Sequence, residues 1–419
     1  MMAKRYLDIL DRWNFWHQKL DTGIFRKRYW QKLLDLASTE EVVAVCGVRR
    51  GGKSTILRQL IWELHQQKQV PLANTLHVNF EDPRFEKEDL DATDLFALYK
   101  EYQQSLKPKG RVYFFLDEVQ KVTRWEKFVR TLYDLKENVK FYVTGSNSLV
   151  FASKLSTVLT GRMVRLTVAP LSFAEFKDFG GQNIDQYLRL GGFPRVVLEE
   201  DEGNKNDVLV SYYQDILEND VILRNSLKNK TKVKRLTLYL LSNAGNLVST
   251  YALAKLLKLT DAEVGKYLDF LEEAYLISRT PLFSYSVKKQ IYNPDKVFCV
   301  DTGLANTAGF AFSENKGRLL ENLVFNHLVA NKKQVYYWKN KETEIDFVVQ
   351  EGLDPAELIN VTTTVDDEEV LQRELRSLEI GQKEFPKAKT TLLTLYNQSK
   401  QSDPRIKGLE EVLLGGIKN

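Results

Sequence analysis

Two cysteines, four histidines and no long apolar run are the scarcities that first narrow this 419-residue chain. Cys46 and Cys299 both sit inside apolar stretches. They read as buried small hydrophobes in a reducing compartment, not as a disulfide or a metal pair. So few histidines and cysteines leave no zinc-ligand cluster. No apolar run approaches the roughly 18 residues that a membrane-spanning helix needs. The opening MMAKRYLDILDRW carries charges where a signal peptide needs an apolar centre, so a cytoplasmic protein without a membrane partner is expected. Charge of one sign is also scarce: the net value is +4. No overall basic field argues for nucleic acid, although a local basic surface stays open. Hydrophobic residues at 43% and charged residues at 28% fit an ordinary globular protein. The length allows about two to four domains.

What is present begins at Glu41–Thr55, EVVAVCGVRRGGKST. The apolar run Val42–Cys46 suits one buried strand. Gly47, Val48, Arg49, Arg50, Gly51, Gly52, Lys53 and Ser54 then follow the spacing of a phosphate-binding loop. A helical pattern comes next, with Ile56, Leu57, Leu60, Ile61 and Leu64 on one side. Glycines let the backbone curl so that successive N–H groups face the phosphates. The helix start adds its positive dipole end. Lys53 would reach the β- and γ-phosphates, and Ser54 would bind magnesium. Gly47, Arg50, Gly51, Gly52 and Thr55 complete the expected cradle for ATP and Mg2+.

Further strands are expected at Leu76–Phe80, Val112–Leu116, Lys140–Thr144 and Met163–Val168. Val112–Leu116 delivers Asp117 to the magnesium and sets Glu118 beside it to deprotonate a water. Lys140–Thr144 ends in Ser146 and Asn147, either of which could sense the γ-phosphate. A plain turn explains them equally well. Strands alternating with helices predict a parallel sheet covered on both faces.

The expected division is N-terminal helices over 1–40, a nucleotide-binding core over 41–170 and a helical lid over 171–230. A winged helix follows over 231–310, then another α+β domain over 311–419. The cluster Arg26, Lys27, Arg28 and Lys32 in the first segment reads as a solvated helix face. Thr260 and Glu263 make a capping box for the third helix of 231–310. That helix carries Asp261, Glu263, Asp269, Glu272 and Glu273 against Lys266, a poor DNA-reading surface. Lys288 and Lys289 lie on the expected wing instead.

GVRRGGKST, NFEDPR, FFLDEVQ with Trp125, TGSN, Gly161-Arg162 with PLSFAEF, GGFP, GRLLENLVFNHL and EIDFVV together carry a resemblance over nearly the whole chain. It resembles prokaryotic AAA-type ATPases that join a P-loop core and winged helix to a nuclease-like domain of unassigned function. The resemblance implies an arginine finger at Arg162, reaching a neighbouring subunit's ATP in a homo-oligomer. It implies that Asn79 holds Glu118 and that Pro194 touches the nucleotide base. It also implies a PD-(D/E)xK nuclease core in which Glu321 and Asp346 are acids of a metal site. Asn360 and Thr362 then stand where an acid and a lysine belong, and an amide holds a hard cation less well than a carboxylate. The expected function is ATP hydrolysis coupled to action on DNA or a DNA-bound partner. A slow nucleotide-gated switch is the alternative, and an ATP-coupled nuclease the second alternative.

Overall fold

A computed structural model describes residues 6–85, 90–146, 161–308, 316–396 and 403–415. The chain divides into two compact units, Met1–Val168 and Ala169–Asn419. Among the described residues no helix is long and apolar enough to cross a membrane.

The first unit is built on five strands: β1 (Val42–Gly47), β2 (Thr75–Asn79), β3 (Val112–Asp117), β4 (Val139–Gly145) and β5 (Met163–Val168). Their order is β2-β3-β4-β1-β5, and all four pairings are parallel. Burial follows position. Every residue of the interior β1 is buried, whereas β5 at the edge leaves Arg165 and Thr167 exposed. Helices α1 (Leu7–Asp11), α2 (Lys27–Asp35), α3 (Lys53–Lys68), α4 (Ala92–Leu106) and α5 (Trp125–Asp134) cover this sheet. On one face Ile56, Leu57, Leu60 and Leu64 of α3 pack with Val43, Val45, Phe115 and Tyr142. Burying each such side chain stabilises the fold by about 1.5–3 kcal/mol. Phe114 in the sheet meets Tyr99 of α4 and Phe128 of α5 at ring distances of 5.8 Å.

Trp13 lies beyond the end of α1, and the chain from there lines the free edge of the sheet. Asn14 exchanges two hydrogen bonds with the backbone of His77 in β2, at 2.7 and 2.8 Å. A side chain thus supplies pairing that a further strand would give, and the edge is covered. Arg26 corrects the reading of a solvated basic cluster. It is buried, its ring-facing guanidinium lies 4.8 Å from the Tyr29 centroid, and it donates to the Gly51 carbonyl at 2.9 Å.

In the second unit the helices Phe173–Asp178, Ile184–Leu190, Pro194–Leu198 and Glu202–Asp215 come first. The helices Lys230–Ser242, Thr250–Leu257 and Asp261–Glu273 follow, the last with the expected capping box. Beside them β6 (Leu247–Val248), β7 (Ile277–Thr280) and β8 (Asp295–Cys299) form an antiparallel sheet with β8 central. A second sheet contains β9 (Gln334–Lys339), β10 (Glu344–Glu351), β11 (Asp354–Thr364), β12 (Lys389–Tyr396) and β13 (Ile406–Gly408), ordered β13-β12-β11-β10-β9. The helices Lys316–Ala330 and Glu368–Glu384 pack in separate apolar clusters with it.

Asp301 ties the Gly191-Gly192-Phe193-Pro194 stretch into this unit. Its carboxylate accepts N–H bonds from Gly192 at 2.7 Å and Leu304 at 3.2 Å. A Cβ on Gly192 would lie 2.4 Å from the Leu171 carbonyl oxygen, so only glycine fits. Burial pushes the Asp301 carboxyl up to about 6, against the pull of its N–H donors. In an unfolded chain it titrates near ~3.9. The folded unit therefore binds this proton more tightly, and that stabilisation is complete below ~3.9 and lost as pH rises through about 6. Asp301→Ala should be most destabilising near the acid end of that window. Its penalty should shrink by up to about 3 kcal/mol above pH ~7, read from melting curves of the full chain. A penalty that grows with pH would contradict this account.

Candidate functional site

The loop after β1 is shaped by backbone constraints. Gly47 has φ 136°, and a Cβ there would lie 2.1 Å from the Val168 carbonyl oxygen. Arg50 adopts φ 66° and Gly52 φ 95°, both left-handed. Gly51 N–H donates to the Val48 carbonyl at 3.2 Å, and Ile56 N–H to the Gly52 carbonyl at 3.0 Å. The backbone thereby curls around the N-terminus of α3, the geometry that gathers N–H donors for an anion. Lys53 opens α3 and is 4% exposed. Its Nζ donates to the Gly47 and Val48 carbonyls, each at 3.1 Å. Thr55 lies beside Gly23 of the N-terminal segment, whose Cβ would stand 3.4 Å from its methyl.

Register brings the acids to this loop. β4 lies between β1 and β3, so Cys46 is level with Gly145 and Leu116 with Val143. Asp117 and Glu118 are both buried. Thr144 of β4 links them: its hydroxyl donates to Asp117 Oδ1 and accepts the Glu118 N–H at 2.8 Å. His77 Nε2 stands 3.5 Å from Asp117 Oδ2, and among the described residues neither atom has another hydrogen-bond partner. Burial pushes the Asp117 carboxyl up, but His77 and the hydroxyls of Thr144 and Ser54 outweigh it and hold it below its ordinary range. Glu118 is raised by burial, with Lys53 opposing and Asp117 reinforcing the rise. Its Oε1 lies 3.9 Å from Lys53 Nζ. Ser54 and Asp117 thus face each other beside an orphaned carboxylate oxygen, a donor set that suits Mg2+. The curled loop and Lys53 suit a polyphosphate.

The remaining expected positions lie as follows. Asn79 is level with Asp117, but its Oδ1 accepts the Glu81 N–H at 2.9 Å, and Gln120 Nε2 donates to Glu118 Oε2 in its place. Arg162 is 37% exposed, pairs with Asp134 at 2.9 Å and lies 5.1 Å from the Tyr133 ring centroid. Asn147 lies outside the described residues, whereas Ser146 is buried at the end of β4. Pro194 heads a helix in the second unit. The contributions of His77, Gln120 and Thr144 were not read from the sequence. TGSN placed Thr144 on the right strand, but only register puts it between the acids.

The second unit holds another acidic cluster. Glu321 comes from the helix Lys316–Ala330, Glu344 and Asp346 from β10, and Lys296 from β8. Lys296 is 3% exposed, and its Nζ lies 2.6 Å from Glu344, 3.4 Å from Glu321 and 3.5 Å from Asp346. Burial would lower its ammonium, but the three carboxylates raise it above its ordinary value. Burial and then Asp346 push Glu321 up to about 8, with Lys296 opposing. Asn360 accepts the Asp346 N–H at 3.2 Å and donates to Glu374 at 2.8 Å. Thr362 donates to the Thr364 carbonyl at 3.1 Å and turns along its own strand. Lys296 and Glu374 escape sequence reading because they join this cluster from other elements. Among the described residues no group of three or more His, Cys, Asp or Glu side chains is arranged to hold a metal ion.

Residues 39–177 match the family model described as an AAA domain. Residues 181–315 and 316–403 match two domains of unknown function, DUF8612 and DUF4143. The uncharacterized protein MJ1544 of Methanocaldococcus jannaschii is 33% identical over 334 residues, covering 74% of this chain and 72% of that one. An uncharacterized protein of Haemophilus influenzae is 33% identical over 345 residues, covering 78% and 84%. Among solved structures, the Walker-type ATPase paby2304 of Pyrococcus abyssi aligns with 68% of this chain and 96% of that one, at 15% identity and a TM-score of 0.49. With an AAA-type P-loop domain at its N-terminal end and this extent of identity, the chain belongs to the same family as these archaeal and bacterial relatives.

Proposed function

We propose that this protein binds ATP with magnesium at the loop Gly47–Thr55, hydrolyses it, and couples the cycle to DNA or a DNA-bound partner. One observation carries the reading: register gathers Lys53, Ser54, Asp117 and Glu118 at one end of the parallel sheet. Ser54 and Asp117 would hold the magnesium ion, which when bound neutralises phosphate charge. Lys53 would exchange the Gly47 and Val48 carbonyls for phosphate oxygens. Glu118 would then accept a proton from the attacking water. Arg162 would act on the site of a neighbouring subunit, and Pro194 on the base. We take 171–230 as the lid and 231–310 as the winged helix.

Charge distribution supports contact with DNA through the wing. The helix Asp261–Glu273 is acidic, and Asp269 and Glu272 are engaged by Arg279 at 2.7 and 2.6 Å. The helix Val287–Tyr292 between β7 and β8 instead exposes Ile291 and Tyr292 beside Lys288 and Lys289. The slow-switch reading has its own support. Glu118 is engaged by Lys53 and Gln120, and Arg162 by Asp134 of its own chain.

ATP turnover measured with and without DNA separates these readings. Strong stimulation favours the DNA-coupled engine, whereas slow, DNA-indifferent turnover with retained ADP favours the switch. In the same assay Lys53→Ala should lose nucleotide binding. Glu118→Gln should bind nucleotide and lose hydrolysis, because an amide cannot accept the proton. Equal nucleotide affinity in Lys53→Ala and wild type would overturn the site.

Arg162→Ala should slow turnover and leave nucleotide affinity nearly unchanged. Fingers of this kind are worth roughly 10³–10⁵ in rate in GTPases. Mixing Arg162→Ala with Lys53→Ala subunits should restore part of the activity. An oligomer that recovers nothing on mixing counts against a finger in trans.

We read the cluster around Lys296 as a nuclease-like surface that binds without cutting. The ammonium already neutralises carboxylates that a metal would need, and Asn360 and Thr362 replace an acid and a lysine. Plasmid and branched DNA should stay intact with magnesium or manganese. Metal-dependent cleavage that disappears in Asp346→Ala would make the protein an ATP-coupled nuclease.

A further inference from the structure

Gln120 lies two residues beyond Glu118, in the short 3-10 turn Val119–Lys121. Its Nε2 donates to Glu118 Oε2. Its Oε1 is buried and has no hydrogen-bond partner among the described residues. The amide therefore caps no helix and bridges no strands. A buried amide oxygen left without a donor costs about 1–3 kcal/mol. The fold tolerates that cost while the other end of the amide grips the carboxylate.

Glu118 itself is held in a demanding way. Its backbone sits at φ 54°, a left-handed conformation that costs a non-glycine residue about 1–3 kcal/mol. Such strain persists only where the surroundings over-determine it. Here the Glu118 N–H is tied to Thr144, Oε1 lies near Lys53 and Oε2 accepts from Gln120. Asn79, the residue otherwise placed to hold this carboxylate, is bonded to its own loop through the Glu81 N–H.

We infer that Gln120 is the positioning residue for Glu118. The inference rests on the reading of Glu118 as the base of ATP hydrolysis. A base in this role must offer one oxygen to water while a third group orients it through the other. The two oxygens of Glu118 divide in that manner. Lys53 attends Oε1 and leaves it on turning to the phosphates, which frees that oxygen for the water. Gln120 stays on Oε2 and keeps the carboxylate from rotating. A neutral amide suits the task, because it donates one hydrogen bond without adding a second cation beside the proton acceptor.

The test uses the full chain and three variants. Gln120→Leu keeps the side-chain bulk and removes the donor. Gln120→Glu removes the donor and adds repulsion. Gln120→His restores a ring N–H. Misalignment of a reacting group by about 1 Å can cost 10²-fold. The kcat of Gln120→Leu and Gln120→Glu should therefore fall by roughly 10- to 100-fold. KM for ATP and affinity for ADP should stay within about twofold, the signature of a contribution made in the transition state. Gln120→His should recover part of kcat. A merely structural amide would instead lower melting temperature and nucleotide affinity together. Wild-type kcat in Gln120→Leu, or no recovery in Gln120→His, would overturn the inference while Glu118→Gln stays inactive. Hydrolysis at the wild-type rate by Glu118→Gln would instead remove the base itself, and this inference with it.

Discussion

Two neighbouring carboxylates, Asp117 and Glu118, are buried at the end of one strand with a single ammonium, Lys53, within 3.9 Å of one of them. That imbalance is the constraint around which the first unit is arranged. Buried charge is tolerable only when it is hydrogen-bonded or paired. Each neighbouring element therefore contributes a polar group: β2 supplies His77, β4 supplies Thr144, α3 supplies Ser54 and Lys53, and the turn after β3 supplies Gln120. The parallel register makes this possible, because parallel strands end at a common edge and their last side chains converge. The opposite displacements of the two carboxyls follow from it. Asp117 gathers enough donors to overcome burial, and Glu118 does not.

The second unit meets a related difficulty differently. Glu321, Glu344 and Asp346 are drawn together around Lys296, an ammonium delivered on β8 from the neighbouring sheet. The cation is covalently part of the chain and cannot be exchanged. Burial, and then the neighbouring Asp346, raises the Glu321 carboxyl against the pull of Lys296. The two clusters therefore differ in kind. One has an ammonium resting on backbone carbonyls, free to be claimed by phosphate. The other has an ammonium already committed to its carboxylates.

Much of this was legible in the sequence, and the limits have physical causes. The five strands of the first sheet, the loop after β1, and Asp117 and Glu118 follow local patterns: apolar runs, glycine spacing and acids at a strand end. What the sequence left unread at Arg26 and Lys296 involves contacts between elements. Asn79 stands level with Asp117 and accepts the Glu81 N–H. Arg26 belongs to a basic run that looks solvated, but it is buried on the Gly51 carbonyl because the N-terminal segment wraps α3. Lys296 has nothing local to distinguish it from any other lysine beginning a strand. Such roles depend on which strands are neighbours, and hydrophobic period does not encode that.

The close approach at Gly47 has a mechanical side. The space that its Cβ would need is filled by the carbonyl of Val168, the last residue of the first unit. No side chain lies between them to absorb movement, since β1 and β5 are joined there backbone to backbone. Close-packed interiors are stiff over such distances. A displacement of the loop at Gly47 must therefore carry the end of β5 with it. The first residue of the loop and the last residue of β5 thus form one stiff backbone seam.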